Sequence, residues 1–275
     1  MIDLTHDDCI DRIAAGECFH ARVDDGAFEV RIDAYVHFAA TAIHAGHRLS
    51  PDLAGKCALN EAERLYEEDP FTDRLIEGLP ITVCARDSRF EYDLNRPPAA
   101  CIYEEAWGKP VWRTPLDDAQ RERSLAKHAA FYQVLGALYR QLEARHPAVL
   151  TYDVHSFNYR RPGIGDTPVF NVGTEQIDMK RWQAQVEAWV AALGRISLPG
   201  IPVRVAVNEV FYGRGYHATF VREHLRNTLI LPSEVKKVFM DETTGTPDPR
   251  VLDPLGEQFR HAIERHARAF ARDTA

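Results

Sequence analysis

The chain has 275 residues, a length that suits one large α/β domain or two small ones, and it contains no Gly/Ser- or Pro-rich linker, so one domain over 1–275 is expected. Hydrophobic residues make up 45% and charged residues 27%, which supplies a sizeable core and excludes a disordered chain. A formal net charge of −8 argues against nucleic acid as a general partner, because phosphate binding needs a basic surface. The five cysteines, Cys9, Cys18, Cys57, Cys84 and Cys101, are scattered and form no CxxC pair, so they read as reduced thiols rather than as a disulfide framework. The acidic start, Met1 to Asp8, lacks the pattern of a signal peptide, and no apolar stretch is long enough to span a bilayer. A soluble cytoplasmic protein acting on a small molecule is expected, with no membrane partner; the oligomeric state is left open.

In chain order, the first strand region is 28 to 43, as one strand or two. Its apolar end, Phe38-Ala39-Ala40-Thr41-Ala42-Ile43, runs into His44, followed by the turn signal Ala45-Gly46. A helix near 58 to 67 closes on the acidic segment Glu67-Glu68-Asp69-Pro70-Phe71-Thr72-Asp73. Strands follow at 80 to 85 and 90 to 94, the second ending in Asn95-Arg96, with Pro97 holding the pair extended. Pro97-Pro98 and Pro110 bracket a stretch with Tyr103, Trp107 and Trp112, an irregular loop that either lines a site or forms a satellite aromatic core.

The longest helical pattern runs from about Asp117 to Ala144, with Leu125, Ala129, Tyr132, Leu135 and Leu138 at three- and four-residue spacing and Arg140 and Arg145 where the helix dipole favours cations. A strand at 148 to 154 then puts His155 at its C-terminal end. Gly163-Ile164-Gly165, after Arg160-Arg161-Pro162, reads as a loop that faces an anion or simply turns. Strands at 167 to 172, 202 to 207 and 227 to 233 alternate with helices near 179 to 194, 216 to 225 and 252 to 271. Strands separated by helix-length segments imply a single α/β domain: a central mixed, mostly parallel sheet flanked by helices, with short antiparallel pieces such as 80 to 94 at one side.

Open α/β sheets place their sites at the C-terminal ends of strands, and two histidines, His44 and His155, stand there. One such histidine alone is ordinarily a hydrogen-bonded structural residue; two suggest a metal. A catalytic zinc takes three protein ligands and keeps one position open, and two histidines with one carboxylate is the ligand set of metal-dependent peptide and amide hydrolases. Asp69 is the expected third ligand, with Glu68 the neighbouring alternative; on spacing alone the same segment is an acidic turn capping the next helix. Arg89 and Arg96 offer planar guanidinium forks that suit a substrate carboxylate or a developing oxyanion, and Asn95 stands beside Arg96. Surface salt bridges are the plain alternative for both arginines.

His44-Ala45-Gly46, Asp69 with Asp73, Ser88-Arg89, Asp93-Leu94-Asn95-Arg96-Pro97-Pro98, Asp153-Val154-His155-Ser156, Asn171-Val172-Gly173 and Met240-Asp241-Glu242 occur in an order that resembles the N-formylglutamate amidohydrolase family, from about residue 35 to about 245. The Asp-Leu-Asn-Arg segment also resembles that of aspartoacylases, in the wider zinc carboxypeptidase-like superfamily. The resemblance implies a phosphorylase/hydrolase-like α/β fold, Zn2+, and hydrolysis of the amide of an N-acyl acidic amino acid, foremost N-formyl-L-glutamate. It implies zinc on His44, Asp69 and His155, Arg89 at the oxyanion, and Asn95 and Arg96 on a substrate carboxylate. Glu234 matches the family's glutamate before the Met-Asp-Glu segment and is the expected general base, with Glu209, which also ends a strand, as competitor. One departure stands out: carboxypeptidases and aspartoacylases carry HxxE, whereas three residues after His44 comes His47, so the carboxylate ligand must come from elsewhere. The alternatives are a hydrolase of another N-acyl amino acid or small peptide, and an inactive binding protein on the same fold.

Overall fold

A computed structural model describes residues 1–160 and 165–274; of the Arg160 to Gly165 segment, 161 to 164 lie outside the described residues. The elements in order are β1 (Ile2–Leu4), α1 (His6–Ala15), β2 (Phe19–Val23), β3 (Phe28–Ile32), β4 (Phe38–Ala42), α2 (Pro51–Lys56), α3 (Glu61–Glu67), α4 (Thr72–Ile76) and β5 (Ile81–Ala85). Then come β6 (Glu105–Ala106), β7 (Lys109–Pro110), α5 (Asp118–Glu143), β8 (Val149–Phe157), β9 (Phe170–Val172), α6 (Met179–Leu193), β10 (Val205–Val207), α7 (Tyr216–His224), β11 (Thr228–Lys236) and α8 (Pro249–Asp273).

Nine strands form one sheet in the order β1-β2-β3-β5-β4-β8-β11-β9-β10. Its centre is parallel: β5, β4, β8 and β11 run the same way, while β3 lies antiparallel between β2 and β5, and β9 antiparallel to β11. Two apolar layers cover the sheet. One packs α4, α6 and α8 against Phe38, Ala40, Ala42, Leu150, Tyr152 and Val154; the other packs α1, α5 and α7 against Ala39, Ile43 and Val149. The single α/β domain with a mixed, mostly parallel sheet flanked by helices is therefore what the chain forms. The amphipathic C-terminal pattern folds as α8 and buries Leu255, Phe259, Ile263 and Phe270 in the chain's own core.

Alternation along β8 explains where the chemistry goes. Leu150, Tyr152 and Val154 face the α6 and α8 layer, so Thr151, Asp153 and His155 point the other way, and all are buried. A buried row of polar groups must be hydrogen-bonded, and it is.

Several expectations need correction. The stretch 28 to 43 takes the two-strand alternative, but the strands are not neighbours, because β5 inserts between β3 and β4. Residues 90 to 94 form no strand: the antiparallel partner of β5 is β3, and the 90 to 94 segment is a turn with Phe90 through Leu94 all buried. Its alternation of apolar and acidic residues is not an inside-outside pattern, since Glu91 takes Lys127 and the Ser50 N–H, and Asp93 takes His44 and Arg89. Strand β8 runs on to Phe157, which sets His155 inside it rather than after it, because β11 pairs with it along its whole length. Leu125 and Ala129 are exposed on α5 rather than packed. The N-terminal unit β1-α1-β2 was not expected; three- and five-residue strands leave little periodicity to read.

Candidate metal and catalytic site

His44 follows β4 by two residues and His155 lies in β8, the neighbouring parallel strand, so both imidazoles emerge at the same end of the sheet. Asp69 reaches them from the α3–α4 connection. Its backbone N–H donates to the His44 carbonyl at 3.0 Å, which ties the two segments together, and Phe71 adopts a left-handed conformation (φ 69°) that lets α4 start at once. Thr72 donates its hydroxyl to the Asp69 carbonyl, so the side chain of Asp69 is not spent on capping. Asp69 Oδ2 lies 3.4 Å from His44 Nδ1 and 3.1 Å from His155 Nδ1. One ligand atom from each of the three residues falls within 4.8 Å of the others, and all three side chains are buried.

The opposite ring nitrogens decide what those Nδ1 atoms can do. His44 Nε2 is 2.8 Å from Asp93 Oδ1, and His155 Nε2 is 3.0 Å from Asp153 Oδ2. With each Nε2–H donated to a buried carboxylate, each Nδ1 would be available to an ion shared with Asp69, which is the carboxylate–histidine pairing that orients ligands in metal sites. The donor set of two nitrogens and one carboxylate oxygen suits zinc.

Burial alone would push the carboxyl of Asp69 up, but its hydrogen bonds and charge interactions with His155 and His44 hold it well below the usual carboxylate range. Asp93 is held down likewise by Arg89 and His44 against its burial, and Asp153 by His155 and His217. His155 is shifted well up: burial opposes its charge, but Asp153 and Asp69 outweigh it.

These groups open into a cavity of about 470 Å³ lined by His44, Asp69, Arg89, Asn95, Arg96 and Glu234 among others. Glu234 is the Cα partner of His155 across β8 and β11, so both side chains project from the same face. Burial and the charges of Asp69 and Asp153 push its carboxyl up to about 8, against His155 and Arg89. Glu209 is elsewhere: it follows the edge strand β10, is exposed, and binds Arg204 at 2.6 and 2.8 Å. Glu68 also turns away from the histidines, accepting hydrogen bonds from Ser88 Oγ and His47 Nδ1, with Arg64 3.8 Å off. His47 is thus a partner of Glu68 and not of the His44 cluster.

Arg89 binds Asp93 Oδ2 through Nε and Nη2 at 3.2 and 2.7 Å and the Glu67 carbonyl through Nη1 at 3.1 Å. Nη2 also reaches the Tyr103 hydroxyl at 3.5 Å, which leaves one N–H of the guanidinium over. Arg96 is exposed at the mouth and makes no ion pair among the described residues. Asn95 lines the wall, and its buried amide oxygen has no hydrogen-bond partner there. The aromatic loop does both things expected of it: Trp112 packs in a satellite core with Phe90 and Leu53, while Trp107, at the β6–β7 turn, lies over Arg89 and lines the cavity.

The sequence reading missed four contributors: Asp93 and Asp153 as partners of the histidines, Tyr103, whose hydroxyl bonds Asp93, and Lys237. Lys237 Nζ is buried and donates to the Tyr66 and Glu68 carbonyls at 2.8 and 2.7 Å, fixing the acidic segment from beneath. Burial lowers its ammonium to about 8 despite Asp69 nearby. The two aspartates were legible in part, as the acids of the Asp-Leu-Asn-Arg and Asp-Val-His motifs; nothing local marks Lys237.

The sequence model described as N-formylglutamate amidohydrolase matches residues 37–232. The chain belongs to that family. Among solved structures, N-formylglutamate amidohydrolase from Ralstonia eutropha JMP134 superposes with a TM-score of 0.74 at 18% identity, covering 90% of this chain and 99% of that one. A gene product of Agrobacterium tumefaciens superposes with a TM-score of 0.65 at 18% identity, covering 87% and 95%. The search of curated proteins matches none. At these identities the superpositions speak for the fold, and the family assignment rests on the sequence match.

The remaining motifs of the family likeness are scaffolding. Asn171 holds the far cavity wall, accepting from the Glu209 and Val210 N–H groups and donating to the Phe211 carbonyl at 2.7 Å. Gly173 abuts the Gly213 backbone so closely that a Cβ would sit 2.2 Å from its nitrogen. Glu242 accepts the Tyr159 and Arg160 N–H groups after β8. Gly46 is not required for a left-handed turn; a Cβ there would meet the Asp87 carbonyl oxygen at 2.3 Å.

Proposed function

We propose that this amidohydrolase-family chain is a zinc-dependent hydrolase of the amide of an N-acyl acidic amino acid, foremost N-formyl-L-glutamate, yielding formate and glutamate. The observation that carries this reading is the convergence of His44, Asp69 and His155, each imidazole backed by its own buried carboxylate, beside Glu234 in one cavity. His44 Nδ1, His155 Nδ1 and an oxygen of Asp69 would hold the ion. When bound, zinc supplies Lewis acidity, polarising a carbonyl and making water a nucleophile near neutral pH.

The rest is the work of side chains. Glu234 takes a proton from the attacking water and delivers it to the leaving amine, from a position on the same sheet face as His155. Arg89, immobilised by Asp93, sets a fixed positive charge facing the carbonyl oxygen as negative charge develops. Arg96 and Asn95 clamp a substrate carboxylate, the first with a guanidinium that makes no ion pair among the described residues and the second by donating its Nδ2–H groups.

Elemental analysis of purified protein, together with amine release from N-formyl-glutamate, N-formyl-leucine and N-acetyl-glutamate, tests this. One zinc per chain and release favouring N-formyl-glutamate is the expected result. Zinc with no amidase activity on any of the three would instead favour a binding protein.

A further inference from the structure

Beyond the ligands, the two histidine arms are built differently. Asp93, behind His44, is held by Arg89, by Tyr103 and by the Asn95 N–H at 2.7 Å. Asp153, behind His155, meets no arginine or lysine among the described residues: its Oδ1 accepts the Thr41 hydroxyl at 2.8 Å and lies 3.0 Å from Nδ1 of His217, leaving Oδ2 to His155. His217 is fully buried, and its Nδ1, at hydrogen-bond distance but bent away from ideal alignment, has no other acceptor among the described residues. Its Nε2 lies 3.0 Å from the Tyr139 hydroxyl, which bonds Thr151 at 2.7 Å, and its ring is parallel to that of Tyr139.

We propose that His217 is a positioning residue for the metal site: it fixes the orientation of Asp153, and through it that of His155, and it couples this arm to the substrate cavity. The coupling follows from where His217 stands. It is the second residue of α7, directly after the segment Phe211 to Gly215 that walls the cavity. The Tyr216 N–H donates to the Asn95 carbonyl at 3.0 Å, and Gly215 presses on the Asn95 side chain so closely that a Cβ would sit 1.9 Å from Oδ1. The first turn of α7 therefore touches the cavity wall, the Asn95 clamp and the Asp153 arm at once. A buried carboxylate with one fixed oxygen can present the other in a single direction, and partners of ligating histidines set affinity in this way.

The inference rests on the metal reading above, and the test separates the two. Zinc dissociation constants of the full-length wild type, His217→Ala, His217→Asn and His217→Leu are measured by competition with a chromogenic chelator, with circular dichroism and melting of the zinc-free proteins as controls. Loss of the Asp153 contact should weaken zinc binding about 10- to 100-fold in the Ala and Leu variants. His217→Asn, which keeps a donor where Nδ1 stood, should recover most of it. Wild type that takes up no zinc overturns the metal reading and this inference together. Wild-type binding that is matched by folded Ala or Leu variants, or an Asn variant as weak as they are, overturns this inference alone. Should the Ala variant fail to fold, the Leu and Asn pair carries the comparison.

Discussion

Glu234 is the proposed base because it lines the cavity and is the Cα partner of His155 across β8 and β11, whereas Asp69 and Asp153 are each spent on an imidazole. Glu234→Gln keeps the shape and removes the base. Zinc content should be unchanged and kcat should fall about 10²- to 10⁴-fold; a variant with wild-type kcat would reject the role. Geometry also separates the competing carboxylates that spacing left open. Asp69 lies against both histidines while Glu68 is bound to Ser88 and His47, and Glu209 is held by Arg204 outside the cavity. Neighbours in sequence with the same functional group differ here because the chain turns between them.

Helix α8 closes the α4 and α6 layer over the sheet, and one of its residues makes that closure sensitive to acid. His266 is buried, with Nδ1 2.7 Å from the Tyr152 hydroxyl and Nε2 2.9 Å from the Gln185 carbonyl. Burial lowers its pKa from 6.5 to about 4. The unfolded chain therefore takes up a proton near 6.5 that the folded chain refuses until about 4, so this stability is complete above 6.5 and is lost as pH falls from 6.5 to 4. The full span is worth about 3 kcal/mol at 1.4 kcal/mol per unit. In melting experiments from pH 7 to 4, His266→Gln should show a shallower fall in Tm than the wild type. Equal slopes would show that His266 does not titrate with unfolding.

For the molecule as a whole, a site built from His44 just after β4, His155 in β8 and Asp69 in the α3–α4 connection exists only in the folded state, so an ion bound there would stabilise it. Zinc at a hundred times its Kd should add about 2.7 kcal/mol. That raises Tm by several degrees in a chain of this size, and a chelator should reverse the gain. Unaltered melting across that range would count against the site. Among the described residues no helix is long and apolar enough to cross a membrane.

Local chemistry was legible because it is local: the apolar runs that become β4 and the start of β8, the three- and four-residue rhythm of α5 and α8, and the histidines that follow those runs are all properties of short windows. The sequence by itself determined the α/β class and the short list of groups able to bind an ion. Tertiary structure decided which of them meet. The strand order places β8 between β4 and β11, bringing His44, His155 and Glu234 to one sheet end, and sends β10 with Glu209 to the edge. The same packing brings Asp93, Asp153, His217 and Lys237 into supporting contact. Those contacts join residues as much as 171 positions apart, as between Lys237 and Tyr66, and no window of sequence spans that distance.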